Sequence, residues 1–260
     1  MLRTIANGRA GVIAQQIRLD TIANNMANVN TTAFKKQEVS FADLLYQEMN
    51  AAGRPVEKEP TAANPVHGAG VKVAALPRDF SPGAQILTGR PLDIAIAGEG
   101  FLQVELPDGR YAYTRNGVLN VTPEGNLVDG NGYPLSPGIT LPENYQGITI
   151  RFDGTVLAAG EDGVLAQAGQ LSLYRFVNPA GLEAFGNNLY VATPASGEPL
   201  EGTPGEAGFG VLRQGYLEAS NVDLTREMAG LIETQRAYQV ALRIIQNAEE
   251  LWNIANNLRK

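Results

Sequence analysis

The residues that could do chemistry are few and scattered. His67 is the one histidine of the 260-residue chain. It stands in AAGRPVEKEPTAANPVHGAG (51–70) with no neighbouring pattern to supply a nucleophile or an orienting carboxylate. GEGFLQV (98–104) begins like a phosphate-cradling dinucleotide loop. Gln103 stands where the third glycine belongs, however, and the text runs on as a strand, so turn glycines account for it. Asp129 and Asn131 among glycines hint at a calcium loop, but the spacing and terminal glutamate of an EF-hand are missing, and a type I′ turn is expected. Asp93, Glu99, Glu105 and Asp108 carry no spacing that pairs two of them for glycosidic acid–base work. Lys35-Lys36 reads as a solvated basic spot. Cysteine is absent, which excludes disulfides, thiolate nucleophiles and cysteine–zinc sites. No G-x-S-x-G elbow occurs. The residues ask for no catalytic group, no metal ligand and no cofactor.

With chemistry set aside, the elements themselves carry the information. The net charge is −7, which speaks against a nucleic-acid partner, since that needs a basic footprint. The first 36 residues run against this balance, with Arg3, Arg9, Arg18, Lys35 and Lys36 facing Asp20 alone. The opening MLRTIANGRAGVIAQQIRLD lacks the uninterrupted apolar core of a Sec-type signal, and no stretch nears the ~20 apolar residues of a membrane span. Stable membrane insertion is not expected.

Two long helices are predicted. Residues 1 to about 30 show one apolar seam at Ile5, Val12, Leu19, Ala23 and Met26, and another at Ala6, Ala10, Ile13 and Ile17. Gly8 and Gly11 weaken this helix but allow a neighbouring helix to approach closely. Asn28 and Asn30 suit its end. Residues 223 to 258 show seams at Leu224, Met228, Leu231, Gln235, Tyr238, Leu242, Ile245 and Trp252, and at Ala237, Ala241, Ile244, Ala248, Leu251, Ala255 and Leu258. The alternation of threes and fours is that of a coiled coil. Between the helices, LDIAIAGEGFLQVELPDGRYAYTRNGVLNVTPEGNLVDGNGYPL alternates short apolar runs with Asp108-Gly109, Asn116-Gly117, Glu124-Gly125 and Asp129-Gly130, which predicts strands joined by tight turns. The expected fold is therefore mixed α and β, with terminal helices forming a coiled-coil-like pair and an all-β central domain. A helix pair buries one seam per partner. The remaining apolar stripes predict an association surface, unless they pack on the β domain.

Five segments resemble the flagellar rod and hook (axial protein) family, in family order and across nearly the whole chain. They are IANNMANVNTTAFKKQEVSFADLL (22–45), LDIAIAGEGFLQV (92–104) with its continuation YTRNGVLNVTPEGNLVDGNGYPL, FGNNLYVATPASGEP (185–199) and GYLEASNVDLTREMAGLIETQRAYQVALRIIQ (215–246). Within the family the distal-rod branch is most similar, on length, on the long stretch from Phe41 to Val71 and on the tail IQNAEELWNIANNLRK; the proximal-rod branch is the alternative.

The resemblance implies a structural subunit, exported largely unfolded by the flagellar type III system. It polymerises into a helical, torque-transmitting tube of the basal body. Its partners would be copies of itself, neighbouring rod and hook subunits, the export gate and surrounding ring proteins. The family's export-gate motif falls on Phe41 and Leu45. The implied inner-core domain is 1–36 with 217–260, joined by 37–75 and 206–216 to a β domain at 76–205. Assembly contacts are expected at Ile5, Val12, Leu19, Met26, Leu224, Met228, Leu231, Tyr238, Leu242, Ile245 and Trp252. Asn24, Asn25, Asn256 and Asn257, in the repeated IANN phrase, would offer amides to crowded neighbours where a charge costs more. The alternative from another class is a secreted β-domain binding protein or hydrolase with helical oligomerisation tails.

Overall fold

The computed structural model describes residues 2–44, 47–48, 66–142, 145–160, 164–206 and 208–257. The chain forms two compact units: Met1–Met26, Gln37–Pro77 and Leu224–Lys260 in the first, Ala27–Lys36 and Arg78–Asp223 in the second.

The first unit is built on α1 (Leu2–Ala27) and α2 (Leu224–Asn257). α1 stops where the sequence turns to asparagine. The Thr31 N–H and hydroxyl both donate to Asn28, to its carbonyl and its amide oxygen, each at 3.1 Å. α1 and α2 meet antiparallel. A Cβ placed on Gly8 would lie 2.8 Å from Ile245 Cγ1, and one on Gly11 4.0 Å from Ala241 Cβ. Further along, Arg18 reaches Glu233 at 3.5 Å, Ile22 packs under Gly230, and Asn25 donates to Glu227 at 3.4 Å. The face that α1 buries is Gly8, Ala14, Thr21, Ile22 and Asn25; α2 answers with Thr234 and Ala248. Small and polar residues make up most of this buried face, with Ile22 and Ile245 set against glycines that let the backbones approach.

The stretch 37–75, expected as a connection, contributes strands to this unit. Ser40–Asp43 pairs antiparallel with Val71–Ala75, placing Phe41 opposite Val73, and Gln47–Glu48 pairs with Val66–His67.

Among its described residues after the end of α1, the regular structure of the second unit is strand, apart from one short turn of 3-10 helix at Pro179–Gly181. Its largest sheet runs, in spatial order, Leu135–Ser136, Leu102–Glu105, Tyr111–Thr114, Leu189–Val191 and Glu183–Gly186. A three-stranded meander follows through Gly147–Ile150, Thr155–Ala159 and Leu165–Gln170. Ile94–Ala97 pairs with Val211–Gln214, and Gln85–Leu87 with Tyr216–Glu218, so part of the 206–216 connection is strand as well. The alternating runs supply one aliphatic core, with Ile94, Leu102, Val104, Leu119, Leu127, Leu173, Leu189 and Leu212 within it. A second cluster is aromatic: Phe101, Tyr113, Tyr174, Phe176 and Tyr190 pack edge to face, with Tyr113–Phe176 centroids at 4.8 Å.

Asp108-Gly109 makes the expected hairpin turn, with Gly109 at φ +80°. Asn116-Gly117 does not. Its glycine is needed because a side chain there would sit on the Ile94 carbonyl. Asp129 forms a capped turn, its carboxylate accepting the N–H groups of Asn131 (2.9 Å) and Tyr133 (2.8 Å).

Candidate functional site

The most concentrated group of charges lies in the β unit, where Glu218 is shared by two cations. Lys35 Nζ donates to Glu218 Oε1 at 2.6 Å and to the Ser81 carbonyl at 2.7 Å. Arg115 Nε donates to Oε2 at 2.9 Å, and the Gly83 N–H donates to Oε1 at 2.8 Å. The side chains of Lys35, Glu218 and Arg115 are 0%, 1% and 3% exposed. Burial pulls the Lys35 ammonium below its ordinary pKa, and the Glu218 carboxylate pulls it back up. Arg115 spends its other donors on the carbonyls of Ile96, Gly98 and Gly100. Gly98 (φ +125°) and Gly100 (φ +137°) turn those oxygens toward it. The glycines of the GEGF phrase thus serve an arginine rather than a phosphate.

Lys35 was expected on a solvated face and is buried instead. The chain after α1 does not continue as part of a helical core but threads into the β unit. The Ala33 N–H donates to the Glu218 carbonyl (2.8 Å), the Asn221 N–H to that of Phe34 (3.4 Å), and the Lys36 N–H to the Asn221 side chain (2.8 Å). Nothing local in AFKK, YTRNG or GYLEASN marks these three charges as partners. Their separations of 103 and 183 residues are closed only by the fold.

The helical residues expected at an assembly surface divide into three groups. Ile5, Val12, Leu19, Met26, Leu231, Tyr238, Leu242 and Ile245 are half-buried. Leu224, Met228 and Trp252 are exposed at 45%, 50% and 48%, and Ile232, Val240, Ile244 and Leu251 join them along α2. The four asparagines do not share a role. Asn25 is buried, and its amide brackets Gln37, donating to its carbonyl at 2.9 Å and accepting its N–H at 3.0 Å. Asn24, Asn256 and Asn257 lie on the exposed side. Phe41 is half in solvent on its strand, while Leu45 lies outside the described residues.

Two open clefts are of note among the described residues. One of about 700 Å³ in the β unit runs over Phe101 and Phe176, with Arg78 and Arg175 on its walls. One of about 410 Å³ in the helix unit lies beside Asn25, Phe41 and Glu227. Among the described residues, no three acidic or histidine side chains stand close enough to hold a metal.

Comparison with known proteins bears on the same elements. Residues 5–35 match a family described as flagella basal body rod protein. Residues 95–158 match the flagellar hook protein FlgE/F/G D1 domain, and 213–258 the flagellar basal body rod FlgEFG protein C-terminal. The flagellar basal-body rod protein FlgG of Borreliella burgdorferi is 43% identical over 265 residues, covering 100% of both chains. That of Caulobacter vibrioides is 42% identical over 99% of this chain and 98% of its own. That of Bacillus subtilis is 36% identical, again over 100% of each.

Proposed function

This chain belongs to the flagellar basal-body rod and hook family, and on that premise we propose that it is a FlgG-type structural subunit of the flagellar rod, built into the rod's distal part. It works by assembling and not by catalysis. The observation that carries the reading is the row of large apolar residues left in solvent along α2, from Leu224 and Met228 to Leu251 and Trp252. A stripe of that length has no use in a lone chain and is stabilised when covered by apolar surface. Contacts of unlike faces between copies do not close on themselves, so they build an open helical filament. In it α1 and α2 wind as a coiled coil in the inner wall, and the β unit faces outward.

Neighbouring rod and hook subunits would cap the two ends of that filament, with ring proteins around it. Phe41 and Leu45 would be read by the export gate on the unfolded chain, before either packs. The proximal-rod alternative is not favoured, since the relatives named above are FlgG rod proteins. A secreted hydrolase or binding protein has no support among the three relatives named above, each of which carries a flagellar name.

Gold-labelling on purified hook–basal bodies tests the reading. Label confined to the distal rod is expected, label on the proximal rod reassigns the branch, and label absent from the basal body removes the reading. The full-length chain is expected to show no hydrolytic activity.

A further inference from the structure

The β unit holds one sheet of five strands and one of three, and their four edges are treated differently. At one edge of the three-stranded sheet, Gln214 stands beside Gly147–Ile150 in place of a strand. Its side-chain oxygen accepts the Ile150 N–H at 3.1 Å, and its side-chain nitrogen donates to the Ile148 carbonyl at 2.9 Å. At one edge of the five-stranded sheet, Leu135–Ser136 is covered by the hairpin of Leu119–Val121 and Leu127–Asp129. Val128 bridges to Pro134, and the Leu127 N–H donates to the Ile139 carbonyl at 2.9 Å. Pro134 and Pro137 flank that strand and have no N–H to offer a newcomer.

The other two edges are bare. Among the described residues, no hydrogen bond reaches the backbone on the outer side of Leu165–Gln170 or of Glu183–Gly186. LAQAGQ (165–170) carries neither charge nor proline, the residues that blunt an edge. All four residues of Glu183–Gly186 are exposed, and Leu165 and Phe185 stand 54% and 51% in solvent. Each bare strand has one bulge, at Ala168 and at Phe185. A bulge bends its strand and raises the twist, so a flat extended segment fits poorly beside it and a strand bent in the same way fits.

The length of these edges selects the partner. Strands of four to six residues span about 13–20 Å, and their pairing falls well short of the ~1,000 Å² that holds two free proteins together. A copy already held through its helices needs only this much more. Charge agrees: the neutral 165–170 strand sets no like charge against Glu183 or against a β unit of seventeen acidic and nine basic residues.

We propose that Leu165–Gln170 of one copy adds as a strand to Glu183–Gly186 of the next, by main-chain pairing. Pairing of unlike edges leaves one of each free on every growing pair, so it continues without closing. Gln214 and the 119–129 hairpin keep the remaining two edges from pairing wrongly. The proposal rests on the rod-subunit reading and gives the β unit a share in assembly.

Hydrogen exchange on the full-length chain, free and in filaments, tests it. Amides of Leu165–Gln170 and Glu183–Gly186 should both exchange about tenfold more slowly in the filament, while Gly147–Ile150, already bonded by Gln214, should not change. Filaments in which either bare strand exchanges as in the free chain overturn the proposal alone. A chain that forms no filament overturns the rod-subunit reading and the proposal with it. The chain has no cysteine, so crosslinking identifies which edges meet. Filaments of the Gln167→Cys/Phe185→Cys chain, treated with a short bismaleimide, should give a ladder of multimers, and filaments of each single variant none. Filaments without the ladder overturn the proposal. So do dimers from a single variant, because like edges would then be meeting.

Discussion

The two units spend their residues in opposite ways. The β unit buries a continuous aliphatic core, an aromatic cluster and three charges that satisfy one another. The helix unit buries glycine, alanine, threonine, one isoleucine (Ile22) and one asparagine, and leaves many large apolar side chains of α2 in solvent. Charge divides in the same way. The β unit holds nine basic and seventeen acidic residues, net −8, against eleven and ten in the helix unit, net +1. One unit completes its core by its own folding. On the proposed reading the other is finished by a second copy, and its low net charge removes a repulsion that close-packed copies would otherwise meet.

The largest way to break this contrast is within the β unit. Glu218→Ala strands Lys35 and Arg115 in a dry site, and a loss of about 3–5 kcal/mol is expected, read as a lower denaturation midpoint of the tyrosine signal. A midpoint moved by less than a tenth of that would mean water reaches the cations. Asn25→Ala sharpens the contrast from the other side. It should cost about 1–3 kcal/mol by leaving the Gln37 backbone unpaired. Hydrogen exchange should quicken in α1 and at Gln37 while Leu102–Glu105 stays protected; equal quickening in both places would mean that the units do not respond separately.

High pH should act on the β unit first. Burial raises the phenols of Tyr113, Tyr174 and Tyr190 above the usual value of 10, with Tyr174 pushed up to about 12 by burial and by the Glu201 carboxylate. A group whose folded pKa is raised stabilises fully below its unfolded value and loses that contribution as pH climbs through the folded one. Lys35, held below 10.5, works the other way until the unfolded lysine also deprotonates. Net loss of stability is therefore expected between about pH 10.5 and 12, and Tyr174→Phe should flatten it in denaturant titrations across that range. The smallest effect on the free chain belongs to the exposed stripe. Leu251→Ser should change stability by no more than about 0.5 kcal/mol yet impair filament assembly in sedimentation, and normal filaments would remove Leu251 from the assembly surface.

Much of the fold was legible in the residues. Both helices follow from apolar spacing, and the helix end follows from asparagine. The hairpin at Asp108-Gly109 follows from turn chemistry, because these signals act over a few residues and do not depend on what lies across the molecule. The expected seams supply Ala241, Ile245 and Ala248 to the contact inside the chain, and Gly8 and Gly11 admit the close approach expected of them. Which of the remaining seam residues stay in solvent depends on the depth of that approach and not on side-chain size. The repeated IANN phrase is the same lesson in small. Its first copy supplies a buried bracket for Gln37 and its second copy lies exposed, so one phrase has two roles set by surroundings.

The sequence by itself determined the two terminal helices, the β character of the middle of the chain, the lack of a recognisable catalytic motif, and the resemblance to rod and hook proteins, since all of these reside in composition, periodicity and contiguous motifs. Only the tertiary structure decided that Lys35 is core rather than surface and that the strand ending at Glu218 closes on the segment following α1. The physical reason is that burial and charge pairing depend on distances through space. A lysine has the same letter whether water or a carboxylate 183 residues away completes its hydrogen bonds.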